Sequence, residues 1–218
     1  MREAYQSKLG GLAGELADMC DIVAQAMRKA SDALLGVDLP LAEEVITGDD
    51  RIDQLRNQAE EDAFALLALQ APVATDLRVV VSAIHAAGDL ERMGDLALHV
   101  AKAARRRHPE SVLPEEIKPY FAEMGKVAVE LAEKAAGIIR DPDVDRAREL
   151  ESDDDAMDDL HRHMFTVMMS PKWTHGVAAA VDVTLLARFY ERYGDHAVSV
   201  ARRMVYVVTG EMPAPTDA

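Results

Sequence analysis

The chain has 218 residues, 49% hydrophobic and 29% charged, which indicates a folded protein rather than a disordered one. Its net charge of −15 argues against general nucleic-acid binding, because that function needs a basic surface to displace phosphate counterions. Cys20 is the only cysteine, and the sequence has neither a signal-peptide core nor about 18 consecutive apolar residues, so we expect a cytoplasmic protein that reaches a membrane only through partners.

Two long helices are predicted at the start of the chain. Apolar residues recur every three or four positions over residues 5–34, which is typical of an amphipathic helix, and Gly36 is expected to end it. Pro40 fits the start of a second helix that runs to about Gln70. Asp49 lies in phase with the apolar residues of that helix, which is unusual for an aspartate.

A third helix follows Pro72, and Asp76 is expected to cap it. Its predicted buried face includes two carboxylates among apolar and small residues: Leu77, Val81, Ile84, Gly88, Glu91, Asp95 and Leu98. A basic run at 105–108 ends the helix, and we expect these cations only to complement the carbonyl end of the helix dipole.

The same pattern then begins again after residues 109–114, which we take as the boundary between two halves. A fourth helix ends at Asp141-Pro142, a fifth ends before Pro171, and a sixth runs from about Gly176 to Val208. Residues 210–218 are predicted to form a frayed tail. No segment alternates with the period of a strand.

Matching motifs show that the two halves are related. Glu-Arg-x-Gly-Asp occurs at 91–95 and again at 191–195, an offset of 100, and Asp-x-x-x-Asp occurs at 49–53 and 154–158, an offset of 105. We therefore predict an all-α fold of six long helices in two tandem, repeat-related antiparallel three-helix bundles, over residues 1–110 and 111–218.

In each half, two helices each contribute one pair of carboxylates. Both pairs lie roughly 20 residues from the intervening turn, so antiparallel packing places them at similar heights. Converging carboxylates repel one another, and a divalent or trivalent metal ion would compensate several of them at once. Arg92 and Arg192 could share that role. The candidate ligands are Asp49, Asp53, Glu91 and Asp95 in the first half, and Asp154, Asp158, Glu191 and Asp195 in the second.

Other residues add less to this prediction. Thr184 and Arg188 replace the small and apolar residues of the first half, so we expect the first cluster to be the more buried. His99 and His161 lie near the carboxylates, but their counterparts are Ser199 and Arg56, so neither belongs to a repeated ligand set. Cys20 and the methionines fit a packed core.

The residues also resemble those of a known family. The segment Ala71-Pro72-Val73-Ala74-Thr75-Asp76-Leu77-Arg78, the Glu-Arg-x-Gly-Asp motif and the repeated carboxylate pairs are similar to the PhoU family over nearly the whole chain. The resemblance implies a duplicated three-helix bundle in which the eight carboxylates are metal-ligand candidates, for iron or zinc ahead of magnesium or manganese. Ser199 departs from an asparagine that often follows the second motif.

The function implied by the resemblance is regulatory rather than enzymatic. PhoU-like proteins repress phosphate-starvation signalling and modulate the phosphate-specific ABC transporter through its ATPase subunit and a sensor histidine kinase. We therefore expect a homodimeric, cytoplasmic regulator of phosphate uptake that is recruited to the inner face of the membrane.

Two alternatives remain open from the sequence. A ferritin-like metalloprotein for iron storage or oxidation would also line its helices with carboxylates, although such proteins use Glu-x-x-His, which is absent from this chain. A metal-free adaptor could instead use the carboxylates to bind arginines of a partner.

Overall fold

The computed structural model describes residues 2–211, and the described chain contains helices but no strand, as predicted. The predicted tail falls largely on residues 212–218, which lie outside the described residues. The six helices are α1 (Arg2–Gly36), α2 (Leu39–Gln70), α3 (Ala74–Arg107), α4 (Lys118–Arg140), α5 (Val144–Met168) and α6 (Gly176–Thr209).

Aspartate side chains cap the N-termini of α2 and α5. Asp38 accepts a hydrogen bond from the backbone N–H of Leu41 at the start of α2, and Asp143 accepts one from Arg146 at the start of α5. The prediction that Asp76 caps α3 is wrong, because the helix begins at Ala74, two residues before Asp76, and Val73 occupies the N-cap position. Asp76 instead lies in the first turn, where its charge complements the helix dipole.

Four helices form the centre of the molecule. α1 packs on α3 and α4, and α6 packs on α3 and α4, so the two halves share one continuous core. Within the described residues, α2 contacts only α1 and α3, and α5 contacts only α4 and α6. The two outer helices therefore carry the Asp-x-x-x-Asp pairs against the flanks of a central bundle.

The core follows most of the predicted apolar pattern. Met19, Met27, Met124 and Cys20 are fully buried, which confirms their role as core residues. In α3, however, the prediction that Leu77 and Val81 are buried is wrong, since both are exposed. Mainly small residues form the buried face of this helix, because three neighbouring helices approach it closely: Val80, Ala83, Ala87, Leu90, Gly94, Ala97 and Ala101.

Charged side chains join α3 to α6 across the two halves. Asp89 accepts hydrogen bonds from Ser199 at 3.0 Å and Arg203 at 3.1 Å, and it lies 3.1 Å from Nδ1 of His196. We call this group the Asp89 network. It occupies partly buried positions between the helices, so it ties the halves together where water screens charge poorly.

A second contact of this kind corrects the prediction for the basic run. Asp182, which is only 7% exposed, accepts hydrogen bonds from Arg106 at 2.8 Å and from Arg107 at 2.5 Å. These arginines therefore bind α6, in addition to lying at the carbonyl end of α3.

The contacts show that α3 and α6 are antiparallel. The end of α3 meets the start of α6 at Asp182, and Arg78 near the start of α3 donates to the carbonyl of Val207 near the end of α6. The α2–α3 turn and the α5–α6 turn consequently lie at opposite ends of the molecule. None of the helices in the described part of the chain is long and apolar enough to span a membrane.

Candidate metal centre

The first carboxylate cluster forms where α2 crosses α3. Gly94 allows the crossing, because a Cβ atom at this position would lie 2.8 Å from Cδ1 of Ile52. Burial, followed by the nearby charges of Asp95 and Asp53, raises the pKa of Asp49 above its usual range. The pKa of Glu91 is raised by burial and then by Asp95. The predicted pairs on α2 and α3 therefore lie within electrostatic range of each other.

Arginines offset the negative charge of the first cluster. Nη1 of Arg92 donates to Asp95 at 2.7 Å, and its Nε lies 3.6 Å from Glu91. Arg56 forms an ion pair with Glu60 at 2.8 Å, and its charge also lowers the pKa of Glu91 against the larger effect of burial. Lys102 lowers the pKa of Asp49 against burial, so the protein supplies three cations near the first cluster.

The second cluster forms at the equivalent crossing of α5 and α6. Asp154 approaches the backbone of α6 so closely that a Cβ atom at position 194 would overlap its Oδ1. Burial is the largest cause that raises the pKa of Asp154, to about 7, and the charges of Asp195, Asp158 and Glu191 add to it. All four predicted ligands of the second half are therefore brought together.

Glu191 makes the second cluster the more buried one. This side chain is 8% exposed, and its Oε1 pairs with Arg188. Burial, then the charge of Asp195, raises its pKa to about 6 although Arg188 opposes the change. The expectation that the first cluster is more buried is wrong. Arg188 pairs with Glu191 in this half, where the first half has Gly88 at the equivalent position.

Several polar atoms of the second cluster lack hydrogen-bond partners. Oδ1 of Asp154, Oε2 of Glu191 and Nε2 of His161 are all buried without one. Such atoms are rare in folded proteins, and an unplaced ion or water is one usual explanation. The carboxylate and imidazole groups fit a metal ion chemically. Among the described residues, however, no group of three or more acidic, histidine or cysteine side chains is positioned to hold a metal ion as it stands.

His161 lies beside this cluster, although it has no equivalent in a repeated ligand set. It follows Asp158 by three residues, so the two share a face of α5. Burial and the charge of Arg188 lower the pKa of His161, whereas Asp158 and Asp195 act in the opposite direction. Its ring packs edge-on against Phe165 with the ring centres 5.1 Å apart.

Two other residues near the motifs have different roles. His99 is exposed, and its Nδ1 lies 2.5 Å from the backbone carbonyl of Asp95. Ser199 donates to Asp89 and so belongs to the Asp89 network. Neither side chain is brought into the carboxylate clusters by these contacts.

The structure also explains the glycine of the repeated motif, which sequence reasoning left without a role. At Gly94 and Gly194 a side chain of the outer helix lies so close to the neighbouring backbone that an added Cβ atom would overlap it. The signal was present in the sequence, because a glycine that recurs at one position of a long helix costs stability unless a close contact requires it.

This fold and these clusters define a class of protein: a duplicated helical bundle whose outer helices carry acidic pairs against a shared core. The sequence model of the PhoU domain matches residues 16–104 and 121–204, and the chain belongs to the PhoU family. Both halves match, which confirms the predicted duplication.

Similar proteins align with nearly the whole length of the chain. It is 58% identical to the Mycobacterium tuberculosis protein named phosphate-specific transport system accessory protein PhoU homolog 2, over 98% of this chain and 100% of that protein. A homolog 1 from Mycobacterium leprae is 56% identical over 98% of this chain and 96% of the relative. The crystal structure of PhoU from Pseudomonas aeruginosa superposes with a TM-score of 0.85 at 27% identity, over 95% of this chain and 100% of that one.

Proposed function

We propose that this protein is a negative regulator of phosphate uptake and phosphate-starvation signalling. The observation that carries the proposal is the full-length similarity to proteins named as accessory to the phosphate-specific transport system, with a PhoU domain in each half. This similarity supports an accessory or regulatory role in phosphate transport. The proposal assigns no catalytic activity to the chain.

The proposed mode of action is protein contact at the cytoplasmic face of the membrane, with the ATPase subunit of the phosphate ABC transporter and with a sensor histidine kinase. Exposed apolar side chains at both ends of the molecule support it, since such patches often mark interaction sites. Near the α2–α3 turn these are Phe64, Leu69, Val73, Leu77 and Val81. Near the α5–α6 turn they are Phe165, Met169, Val177, Val181 and Leu185.

The proposal includes a metal ion, iron or zinc, held by carboxylates of the two clusters. The unpartnered buried oxygens of Asp154 and Glu191 support it, and so do burial and the neighbouring carboxylates, which raise the pKa values of both groups. A bound cation would relieve that repulsion. We also propose that the protein acts as a homodimer, which analytical ultracentrifugation at micromolar concentrations would test.

Deletion of the gene tests the regulatory function. Loss of the protein should raise expression of phosphate-starvation genes in phosphate-rich medium, in a strain without a second copy of the gene. Unchanged expression would contradict the proposal. Complementation with a Val177→Glu, Val181→Glu variant should fail if the apolar surface of α6 binds a partner, because a buried unpaired carboxylate is costly at an interface.

A matched control keeps that experiment specific. Val208 is also an exposed apolar residue of α6, but it lies at the opposite end of the helix from Val177. Val208→Glu should complement the deletion if contact at the α5–α6 turn alone is responsible. Both variants should accumulate to the wild-type level, which immunoblotting checks.

A further inference from the structure

A groove with mainly apolar walls lies where the α5–α6 turn meets the first turns of α6. Its volume is about 440 Å³. Met168 at the end of α5 and Trp173 in the turn line it, together with the α6 residues Val177, Val181 and Leu185. These three α6 residues are four positions apart, so they form one exposed stripe along the helix, and Val177 is 81% exposed. We call this cavity the α6 groove.

The shape of the α6 groove suits the side chains of a helix. Ala180 and Thr184 are short and half-buried beside the exposed stripe. The hydroxyl of Thr184 lies 3.4 Å from the sulfur of Met168, so these two residues close the floor of the groove. Amphipathic helices are recognised in such grooves, which take up apolar side chains spaced three and four residues apart. A lipid surface has no protruding side chains to fill one.

Positively charged side chains border the α6 groove. Arg106 and Arg107, from the end of α3, share the single carboxylate of Asp182, which is next in sequence to Val181. The two arginine side chains remain 60% and 43% exposed, so two cations and one anion lie at this edge of the groove. Lys172 is exposed in the α5–α6 turn and forms no ion pair with residues 2–211. The rim of the groove is therefore basic.

The charge at this turn is opposite to that of the equivalent turn and of the whole chain. Residues 161–185 contain two basic residues and one acidic residue, whereas the residues matched to them by the repeat offsets, 56–85, contain two basic and four acidic residues. The offset of 100 also places Tyr206 and Val207 where this turn has its two arginines. The chain as a whole carries a net charge of −15, so an acidic ligand is repelled by the molecule overall and attracted at this turn.

We infer that the α6 groove binds an amphipathic helix of a partner protein, in which aspartate and glutamate flank the apolar face. The inference rests on the contact proposed above for the α5–α6 turn, and it names the chemistry of the partner. Apolar side chains of the helix fill the groove, and its carboxylates lie against Arg106, Arg107 and Lys172. Because Asp182 balances only one of the two arginines, a carboxylate of the partner completes the charge balance at this edge.

Trp173 provides a probe inside the groove, because it is the only tryptophan of the chain. Its indole N–H donates to the carbonyl of Gly176 at 3.0 Å, so its emission reports on the start of α6. The test uses two synthetic helical peptides of roughly 18 residues without aromatic side chains, which share one leucine face and differ only in whether glutamate or lysine flanks it. Titration of the full-length protein should change the emission of Trp173 saturably. The glutamate peptide should bind at least about 10-fold more tightly, and this preference should shrink as salt is raised.

Three variants separate the apolar and charged parts of the groove. Val177→Glu should weaken binding of the glutamate peptide by at least about 10-fold, because it places a carboxylate in the apolar stripe. Lys172→Glu keeps that stripe and should weaken it by about 3-fold, mainly through slower association. Leu77→Glu is the matched control, since Leu77 is the exposed equivalent of Val177 at the other turn, and both affinities should stay unchanged. Circular dichroism shows whether each variant is folded.

Several results would overturn the inference. These are equal affinities for the two peptides, tighter binding of the lysine peptide, or no change in the emission of Trp173. A response to vesicles of phosphatidylglycerol and phosphatidylcholine but not to the peptides would assign the groove to a lipid surface. A response to protein concentration alone that is lost in Val177→Glu would assign it to a second copy of the chain.

The peptide titrations are independent of the test of the regulatory function. They use purified protein, so a failure there leaves the expression of phosphate-starvation genes after gene deletion as a separate result. Unchanged expression after deletion, with the peptide preference intact, would contradict the regulatory proposal alone.

Discussion

Both halves of the molecule contain the same arrangement of carboxylates, but the cluster of the second half is more buried than that of the first. Each places an acidic pair of an outer helix against a Glu-x-x-x-Asp pair of a central helix, with a glycine at the crossing. In the first half the acidic side chains stay partly exposed, and Arg92 bridges Glu91 and Asp95. In the second half Glu191 is buried, and the pKa of Asp154 is raised to about 7.

This difference shows which features a duplicated fold fixes and which depend on its neighbours. Helix register and the crossing point fix the position of the carboxylates, so both halves form a cluster. The charge that each cluster can carry depends on single substitutions, Gly88 against Arg188 and Arg56 against His161. Related positions can therefore have different electrostatics on the same backbone.

Position 89 should give the largest energetic difference between the halves. Asp89 holds three side chains of α6 together, whereas its counterpart is Phe189. Asp89→Ala should lower the free energy of unfolding at pH 7 by about 3 kcal/mol, because it leaves Arg203 unpaired in a partly buried place. Urea titration measures the change. The exposed Asp50→Ala should change it by less than about 0.5 kcal/mol.

The loss of stability in Asp89→Ala should become smaller as pH falls. Burial acts to raise the pKa of Asp89, but hydrogen bonds from His196, Arg203 and Ser199 outweigh burial and hold it below its usual range. Stabilisation by a carboxyl group of lowered pKa is present above its unfolded value and is lost as pH falls through its folded value. The difference in stability between wild-type and Asp89→Ala proteins should thus begin to shrink below about pH 4 and disappear only below the folded pKa of Asp89. A constant difference down to pH 3 would contradict this account.

The two outer-helix aspartates should respond unequally to neutralisation. With chelator present at pH 8, Asp154→Asn should raise the free energy of unfolding by on the order of 2 kcal/mol, because it removes a charge that burial and three carboxylates oppose. Asp49→Asn should raise it by less than about 1 kcal/mol, since Asp49 is nearer to solvent and Lys102 lowers its pKa against burial. Equal effects would show that the clusters are equivalent.

For Asp154 the pH dependence runs opposite to that of Asp89. The folded pKa of Asp154 lies above the unfolded value. The contribution of the protonated side chain to the free energy of unfolding is therefore fully present below about pH 4 and is lost as pH rises through about 7. The gain in Asp154→Asn should accordingly disappear at pH 4. Thermal unfolding in chelator at pH 4, 6 and 8 measures this trend.

The two motif glycines should tolerate alanine to different extents. Gly194→Ala should lower the free energy of unfolding by about 1–2 kcal/mol, because the added methyl group overlaps Asp154 and lies close to Leu131. Gly94→Ala meets Ile52 alone, with Cδ1 2.8 Å and Cγ2 3.1 Å from the added Cβ atom, so a shift of this side chain and the better helix propensity of alanine should keep the loss below about 1 kcal/mol. Chemical denaturation of both variants tests the difference.

The smallest difference is expected between the two arginines that contact the motifs. In chelator, Arg188→Gln should cost about 1 kcal/mol, because its partner Glu191 is almost fully buried. Arg92 is 63% exposed, so Arg92→Gln should cost less than about 0.5 kcal/mol. A larger loss for Arg92→Gln would reverse the comparison between the clusters.

Much of the fold could be predicted because its signals are local. Apolar spacing and prolines located all six helices, and counting residues from each turn placed the acidic pairs at matching heights. The burial of α3 could not be predicted in the same way. Its buried face is mainly small residues, whereas the larger Leu77 and Val81 are exposed, and only the presence of three neighbouring helices explains that choice.

The clustering of the carboxylates could be predicted from the sequence, but their burial could not. The motifs identified the eight carboxylates, yet the exposure of Glu191 depends on how Arg188 folds and on how Gly194 admits Asp154. The roles of Asp89 and Asp182 also depend on contacts between the two halves, more than 70 residues apart in sequence. Periodicity within one helix contains no information about such contacts.

The antiparallel packing of α3 and α6 has a consequence for how the protein could be used. The 34 residues of α3 span about 50 Å, and the two turns with exposed apolar side chains lie at its opposite ends. A protein bound at one turn leaves the other accessible. Partners that bound at both turns, as proposed above, would be held about 50 Å apart by the length of α3, and each would raise the local concentration of the other.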